Sequence, residues 1–593
     1  MRRILLLLLL TWPGAYVFGQ QKDIDKKLKG FDDFVTKAMH DWNVQGLSVA
    51  VVYKNNVVLS KGYGFRNTAG KLPVTSQTLF AIGSCTKAFT AAGLCLLEED
   101  GKLELDNPVR SYLPDFKLQD EYVSANMTPR DLLCHRSGLP RHDMLWYGSN
   151  FSREALYERL RYLEPSKPFR TTYQYQNLMF MTAGYLTEKV SHQSWEQFTR
   201  ERLFAPLNMT ASNFSVNDLQ QAKDFSTGYV DQKGVVQPMP YMNIDALGPA
   251  GSINSNADDM SHWLLALING GQFKGKKILS PNTIRQLQTP VMVAATQVPL
   301  PYDEAFYNLY GLGWVITSYR GHVRVDHGGN IDGFSASTCF LPRDSVGVVV
   351  LTNMNSSVLP TIVRNQVIDR MLGLTLVDWN KRFLDERNKN RELQESIKKE
   401  EDDRQRVTGT TPSHTLDKYA GHYEHPAYGT VSIALDSNVL RANVHGLMTD
   451  LEHYHYDIFR ATDQKYFEGE KFLFTTGMDG SVAELHLKLE PAVKDIVFKR
   501  MPDAVAVAPT TLASYVGDYD FGGQVAKVYL KDTTKLFLFV PGQPEYELAA
   551  IKQHEFKIKI LEGFQVKFET DPKGQVTELL SIQPNGTFRA KRK

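Results

Sequence analysis

From about residue 410 onward the chain repeats itself. Leu416, Tyr419, Gly421 and Tyr423 return as Leu512, Tyr515, Gly517 and Tyr519. Later in each repeat, Gly480, Val482, Glu484 and Leu485 return as Gly574, Val576, Glu578 and Leu579. The two sets recur at nearly the same offset, one module length, so they mark a duplicated structural unit rather than chance. Alternating apolar residues at Val431, Ile433 and Leu435, with β-rich stretches such as 536–540, make each unit antiparallel β. The C-terminal third is therefore expected to form two small barrel-like modules, or two halves of a shared one.

The region just before the repeat is different in kind. Residues 381–406 alternate charge with few apolar side chains, and 408–412 is a Thr/Pro-containing stretch. This reads as a solvated helix leading into a linker. A chain of 593 residues is in any case too long for one core, and two or three domains are expected. Lys plus Arg number 67 against 66 Asp plus Glu, so no field of one sign favours nucleic acid or an anionic membrane. The N-terminus carries Arg2 and Arg3, an apolar run over 4–10, then Pro13 and Gly14, the pattern of a signal peptide. That run is too short to span a bilayer and no later segment is long enough, so the expectation is an exported protein, periplasmic or extracellular. The four cysteines are expected to be free thiols, since Cys95, Cys134 and Cys339 sit in apolar runs.

Between leader and linker, residues 22–42 read as one amphipathic helix, and 47–53 and 57–64 as strands joined at Asn55-Asn56. Further strands are expected at 314–317, 323–326, 335–340 and 346–352, with a mostly helical middle from about 84 to 290. Short connections imply antiparallel pairing in a sheet assembled from both ends of this region.

The chemistry is carried by few residues. In Ser84-Cys85-Thr86-Lys87 the lysine lies one helical turn beyond the serine, on nearly the same face. A serine hydroxyl needs a base within hydrogen-bond reach, and burial can lower a lysine's pKa until its neutral amine serves. Cys85 is expected to point away. Spacing alone is weak evidence, because Ser396 and Lys399 repeat it within the charged stretch, where neither desolvation nor an oxyanion site is on offer. No dinucleotide fingerprint, phosphate loop or paired metal ligands occur, so no cofactor or metal is expected.

The combination is more specific. Ser84 and Lys87 at a helix start, Tyr175-Gln176-Asn177, and His327-Gly328-Gly329-Asn330 after a strand resemble the three motifs of the serine β-lactamase and penicillin-binding-protein superfamily. The runs 132–139, 248–251 and 310–314 agree, and the chain looks most like the class C β-lactamase-related branch of esterases and D-aminopeptidases. The resemblance implies an α+β domain, an antiparallel sheet flanked by helices, with the two β modules appended. Together with the leader pattern, the charged stretch and the repeat, this divides the chain into a signal peptide at 1–19, the hydrolase domain at 20–378, a linker at 379–412 and modules at 413–502 and 503–593.

By the same resemblance Ser84 would attack a carbonyl of a small-molecule or short-peptide substrate, Lys87 would take its proton and Tyr175 would serve the leaving group. Asn177 would bond Lys87 and the substrate amide, and the oxyanion would lie between the backbone N–H groups of Ser84 and Asn330. Gly328 and Gly329 would let substrate backbone lie along the strand edge. Where β-lactamases carry Lys-Thr-Gly this chain has His327-Gly328-Gly329, so efficient β-lactam hydrolysis is not expected. His327 is either a substrate-binding residue or a structural histidine. A β-lactamase, or a non-hydrolytic receptor or scaffold, stands as the alternative, and a homo-oligomer is left open.

Overall fold

Lys54 and Asn55 both take positive φ, 47° and 66°, the geometry of a two-residue hairpin whose twist suits its strands. The turn is thus centred one residue before the expected Asn55-Asn56. It joins Gly46–Tyr53 to Asn56–Asn67. Gly46–Tyr53 is buried along nearly its whole length, and on its other side it pairs antiparallel with Val346–Thr352, Leu47 opposite Thr352. The chain ends of this domain therefore meet in the centre of one sheet.

The computed structural model describes residues 22–294, 304–391, 406–462, 466–502, 505–532, 534–559, 561, 563–583 and 586–593. The expected leader at 1–19 and the Ser396/Lys399 pair lie outside them. The chain divides into two compact units, with the boundary near residue 404.

The first unit is built on an antiparallel sheet of nine strands. Their order is Met292–Val293, Ala305–Tyr310, Val315–Tyr319, His322–Ile331, Phe334–Leu341, Val346–Thr352, Gly46–Tyr53, Asn56–Asn67 and Leu72–Pro73. One face packs on the helices Phe31–Asp41 and Leu359–Leu372, through Phe31, Val35, Ile362 and Val363 among others. The other meets the helix Ala257–Ile268 so closely that a Cβ on Gly347 would lie 3.1 Å from Leu264 and 3.0 Å from Ile268. The single helix expected over 22–42 is in fact two. Residues 22–27 are helical, and Gly30, at φ 73°, breaks the run and caps Phe31–Asp41.

The second unit holds two closed eight-stranded barrels, which settles the choice between separate barrels and halves of one. The first strand of each pairs with its last, Tyr423 with Arg500 and Tyr519 with Arg592. The sequence repeat has a physical cause here. Tyr419 and Tyr515 are fully buried, and each carbonyl accepts the hydroxyl of the tyrosine four residues on, Tyr423 or Tyr519, at 2.8 Å. Gly480 and Gly574 take φ of 79° and 78° in the turns before matching strands, whose Val482/Val576 and Leu485/Leu579 face the barrel interiors.

All four cysteines are free and buried. Among the described residues no helix is long and apolar enough to cross a membrane.

Candidate active site

Ser84 lies in a single 3-10 turn, Gly83–Thr86, that runs directly into the helix Lys87–Glu99. Eleven residues of that helix are buried, so the lysine at its first position is shielded from bulk solvent. Gly83 takes φ 50°, and a Cβ there would press on the Asn330 backbone nitrogen at 2.8 Å. The turn can therefore approach the strand only with glycine at this place.

Lys87 has no exposed surface. Burial pushes its pKa well below the usual lysine value, and the nearby Arg141 charge pushes the same way. Its Nζ makes three contacts: Asn177 Oδ1 at 2.8 Å, the Ala250 carbonyl at 2.8 Å and Ser84 Oγ at 2.9 Å. A neutral amine has two hydrogens and one lone pair. The amide oxygen and the carbonyl can only accept, so they take both hydrogens, and the lone pair is left facing the serine hydroxyl.

Each acceptor is held in turn. Asn177 begins the helix Asn177–Ser191 and donates through Nδ2 to Asp143 Oδ1 at 3.0 Å. The same oxygen accepts from Trp146 Nε1 at 2.9 Å, while Oδ2 accepts from Arg141 Nε at 2.6 Å. Ala250 belongs to Gly248–Gly251, a short helix. It docks where Gly184 leaves room, since a Cβ on Gly184 would meet Pro249 Cγ at 2.0 Å. Tyr175 stands beside this group, its ring centroid 4.7 Å from Lys87 Nζ. Burial raises its pKa strongly, and a hydrogen bond with Ser84 opposes the rise.

Three comparisons place this geometry among known proteins. Residues 31–370 match the family model described as Beta-lactamase, more than half of the chain. The chain belongs to the beta-lactamase family.

Residues 405–500 match a domain of unknown function, DUF3471. The unguisins hydrolase ungD′ of Aspergillus campestris is 33% identical over 443 residues, 70% of this chain and 79% of that protein. Protein flp of Staphylococcus aureus strain MRSA252 is 25% identical over 369 residues, 60% of this chain and 70% of its own. Among solved structures, the octameric penicillin-binding protein homologue from Pyrococcus abyssi superposes with a TM-score of 0.52 at 21% identity, covering 87% of this chain and 98% of that one. That likeness is one of fold.

Within this beta-lactamase-type domain the third motif sits inside a strand, not after one: His327, Gly328, Gly329 and Asn330 all lie in His322–Ile331. The neighbouring strand stops at Val315, opposite Asp326. Among the described residues, 327–331 thus have no strand partner on that side while still pairing with Phe334–Leu341 on the other. Gly329 is demanded by the fold, because a Cβ there would lie 1.9 Å from the Ile82 carbonyl oxygen and 3.2 Å from Ser84 N. Gly328 is exposed and meets no such wall. The Asn330 side chain accepts from Ser335 Oγ at 2.7 Å, which leaves its backbone to face the Gly83-Ser84 turn. The strand is anchored beside the motif by a buried ion cluster, in which Asp326 accepts from Arg324 at 2.9 Å and Arg364 at 2.7 Å.

His327 is held at the end of a chain of hydrogen bonds. The Gln176 backbone N–H must donate, so His135 Nδ1 accepts it, at 3.0 Å. His135 Nε2–H then donates to Tyr310 Oη at 3.1 Å, the Tyr310 hydroxyl donates to His327 Nε2 at 3.0 Å, and His327 Nδ1–H donates to the Gly328 carbonyl at 2.6 Å. Both ring nitrogens of His327 are occupied and the residue is 4% exposed. Burial and the neighbouring Lys87 lower its pKa to about 4, so it carries no charge at neutral pH. Where the resemblance implied a substrate-binding side chain, the structure gives both ring nitrogens partners within the protein.

Ser84, Lys87, Tyr175, Asn177, Gly329 and Asn330 are brought together as expected. Cys85 is buried, its thiol pushed up to about 11 chiefly by burial, and its Sγ lies 3.2 Å from the His327 carbonyl. Asp143, Ala250, Tyr310 and His135 were missed as site residues. The runs holding Ala250, Tyr310 and His135 were visible as runs, but only the fold shows which atoms reach the centre.

Proposed function

We propose that this protein is a serine hydrolase that cleaves amide or ester bonds of small peptides or esters through an acyl-enzyme on Ser84. The observation that supports it most is the hydrogen-bond count at Lys87. Two fixed acceptors use both hydrogens of a neutral amine, and the remaining electron pair points at Ser84 Oγ from 2.9 Å.

In this reading Lys87 takes the hydroxyl proton as Oγ adds to the substrate carbonyl. The negative charge that develops on the carbonyl oxygen is met by the backbone N–H groups of Ser84 and Asn330, each worth about 3 kcal/mol in the transition state. The proton passes by way of Tyr175 to the leaving nitrogen or oxygen as the carbonyl bond breaks. Water then attacks the ester on Ser84, its proton returning to the serine oxygen, and the acid is released. The strand edge at 327–331, beyond the end of its neighbour, offers an extended substrate a place to lie alongside the scissile bond. The relative from Aspergillus campestris bears the name of a hydrolase, which agrees with this class of activity. β-Lactams are proposed as poor substrates, since the strand position that carries a lysine in the enzymes acting on them holds a neutral, fully bonded imidazole.

The test is covalent labelling. A fluorophosphonate should add to Ser84, located by peptide mass mapping, and a chromogenic acetate should be turned over by the wild type but not by Ser84→Ala. Labelling without turnover would favour the non-hydrolytic receptor instead, and no adduct at Ser84 would refute both.

A further inference from the structure

A proton relay at Tyr175 needs its hydroxyl held in one place, yet no helix or strand holds that residue. Residues 173–176 belong to neither, and an irregular segment keeps its place through the partners its backbone groups find. One residue supplies a partner on each side of the tyrosine. The His135 carbonyl accepts from Gln174 N at 2.9 Å, and the His135 ring accepts at Nδ1 from Gln176 N at 3.0 Å. Between these two bonds the imidazole lies against the Tyr175 ring, with centroids 4.2 Å apart and planes 32° from parallel. Tyr175 is thus gripped by its backbone on both sides and by one face of its ring.

His135 reaches this arrangement with a strained backbone. Its φ is 61°, in the left-handed region that is unfavourable for a residue with a Cβ. The residue is fully buried, and strain of this kind persists where the surroundings over-determine it, most often at functional sites. The far edge of the ring extends the grip. Nε2–H donates to Tyr310 Oη at 3.1 Å, and that hydroxyl donates to His327 Nε2 at 3.0 Å. His327 shares its strand with Asn330, and its carbonyl lies 3.2 Å from Cys85 Sγ, in the turn of the nucleophile. One line of contacts therefore runs from the backbone around Tyr175 to the strand and the turn that carry Asn330 and Ser84.

The two ends of that line act on one group of the substrate. The carbonyl oxygen and the leaving atom are bonded to the same carbon, so covalent geometry sets their separation and the protein has to match it. A misplacement of about 1 Å can cost about 10²-fold in rate. We propose that His135 is a positioning residue that fixes the Tyr175 hydroxyl relative to the oxyanion site, through its two backbone bonds, its ring contact and its link to Tyr310. The proposal rests on the hydrolase reading and adds what aligns the proton relay within it.

The experiment is a leaving-group series. For the full chain, kcat/KM, which reads the acylation step, is measured with 4-nitrophenyl, phenyl and ethyl acetate, in order of increasing need for a proton on the departing oxygen. His135→Ala should lose about threefold or less on 4-nitrophenyl acetate and about hundredfold on ethyl acetate. His135→Asn, which returns an acceptor near the place of Nδ1 and tolerates the left-handed backbone, should recover part of the loss on ethyl acetate. Tyr310→Phe keeps the ring and removes only the link to the strand. It should show the same slope, reaching about tenfold on ethyl acetate, and carries the test should His135→Ala not fold. Equal loss on every ester that wild type cleaves overturns the positioning role while the hydrolase reading stands. Absence of ester turnover by wild type together with absence of a fluorophosphonate adduct at Ser84 overturns both.

Discussion

Lys87 and His327 are both buried, both basic and both wrapped in hydrogen bonds, yet they differ in one respect. Around His327 every valence is used. Gln176, His135, Tyr310, His327 and Gly328 form a string with a fixed direction, starting from a backbone N–H and ending on a backbone carbonyl. Around Lys87 two valences are used and one is left aimed at Ser84. Burial lowers the pKa of both, so the direction of the shift does not separate them. Reactivity in this site goes with the incomplete set, and rigidity with the complete one.

The sharpest way to break that contrast is Lys87→Met. It removes the open valence, and kcat/KM should fall about 10⁴-fold in a chromogenic ester assay. Retained activity would mean that some other group accepts the Ser84 proton.

A second test addresses the closed string. The pKa of His327 is about 4 against a usual 6.5, so its neutral form is required by the fold. Its contribution is complete above pH 6.5 and is lost as pH falls from there towards 4, by about 3 kcal/mol at the limit. Urea midpoints for wild type should drop over that interval, and His327→Gln should show correspondingly less of the drop. Equal acid sensitivity would show that other groups set it.

A smaller effect is expected at Asp143, which orients Asn177 without touching the amine. Asp143→Asn weakens that hold, and kcat/KM should fall about tenfold with the pH at half-maximal kcat/KM moved, because the environment of the lysine changes. A change in KM alone would make Asp143 a binding residue only. Smallest of all, Tyr519→Phe removes one hydroxyl from a barrel remote in sequence from the chemistry, and should cost about 1 kcal/mol of stability by urea unfolding, with chromogenic ester turnover unchanged.

Much of this was legible in the sequence for reasons of periodicity. Ser84 and Lys87 share a helix face, alternating residues such as Val431 and Ile433 give strands, and the repeated tyrosines and glycines mark two like modules. Boundaries were less so, because Gly30 and the pair Lys54 and Asn55 act through backbone angles that their neighbours permit rather than dictate. The partners of Lys87 were legible only in part. Asn177 is a side chain in a readable motif, but the Ala250 contact is a backbone carbonyl, and every residue has one. His327 could be read either as a substrate ligand or as structural, and the bond that ties its Nε2 into the protein comes from the Tyr310 hydroxyl, seventeen positions away in sequence.

The pairing of first and last strands in each barrel has a consequence for how such a chain could arise and be altered. Where the polypeptide enters a barrel and where it leaves are neighbours, and no strand edge is exposed by cutting there. A module of this kind can be copied in tandem, deleted or grafted onto another protein as a plug-in part, with only a short connector to rebuild. The duplicated tyrosines and glycines are what such a copying event would leave behind.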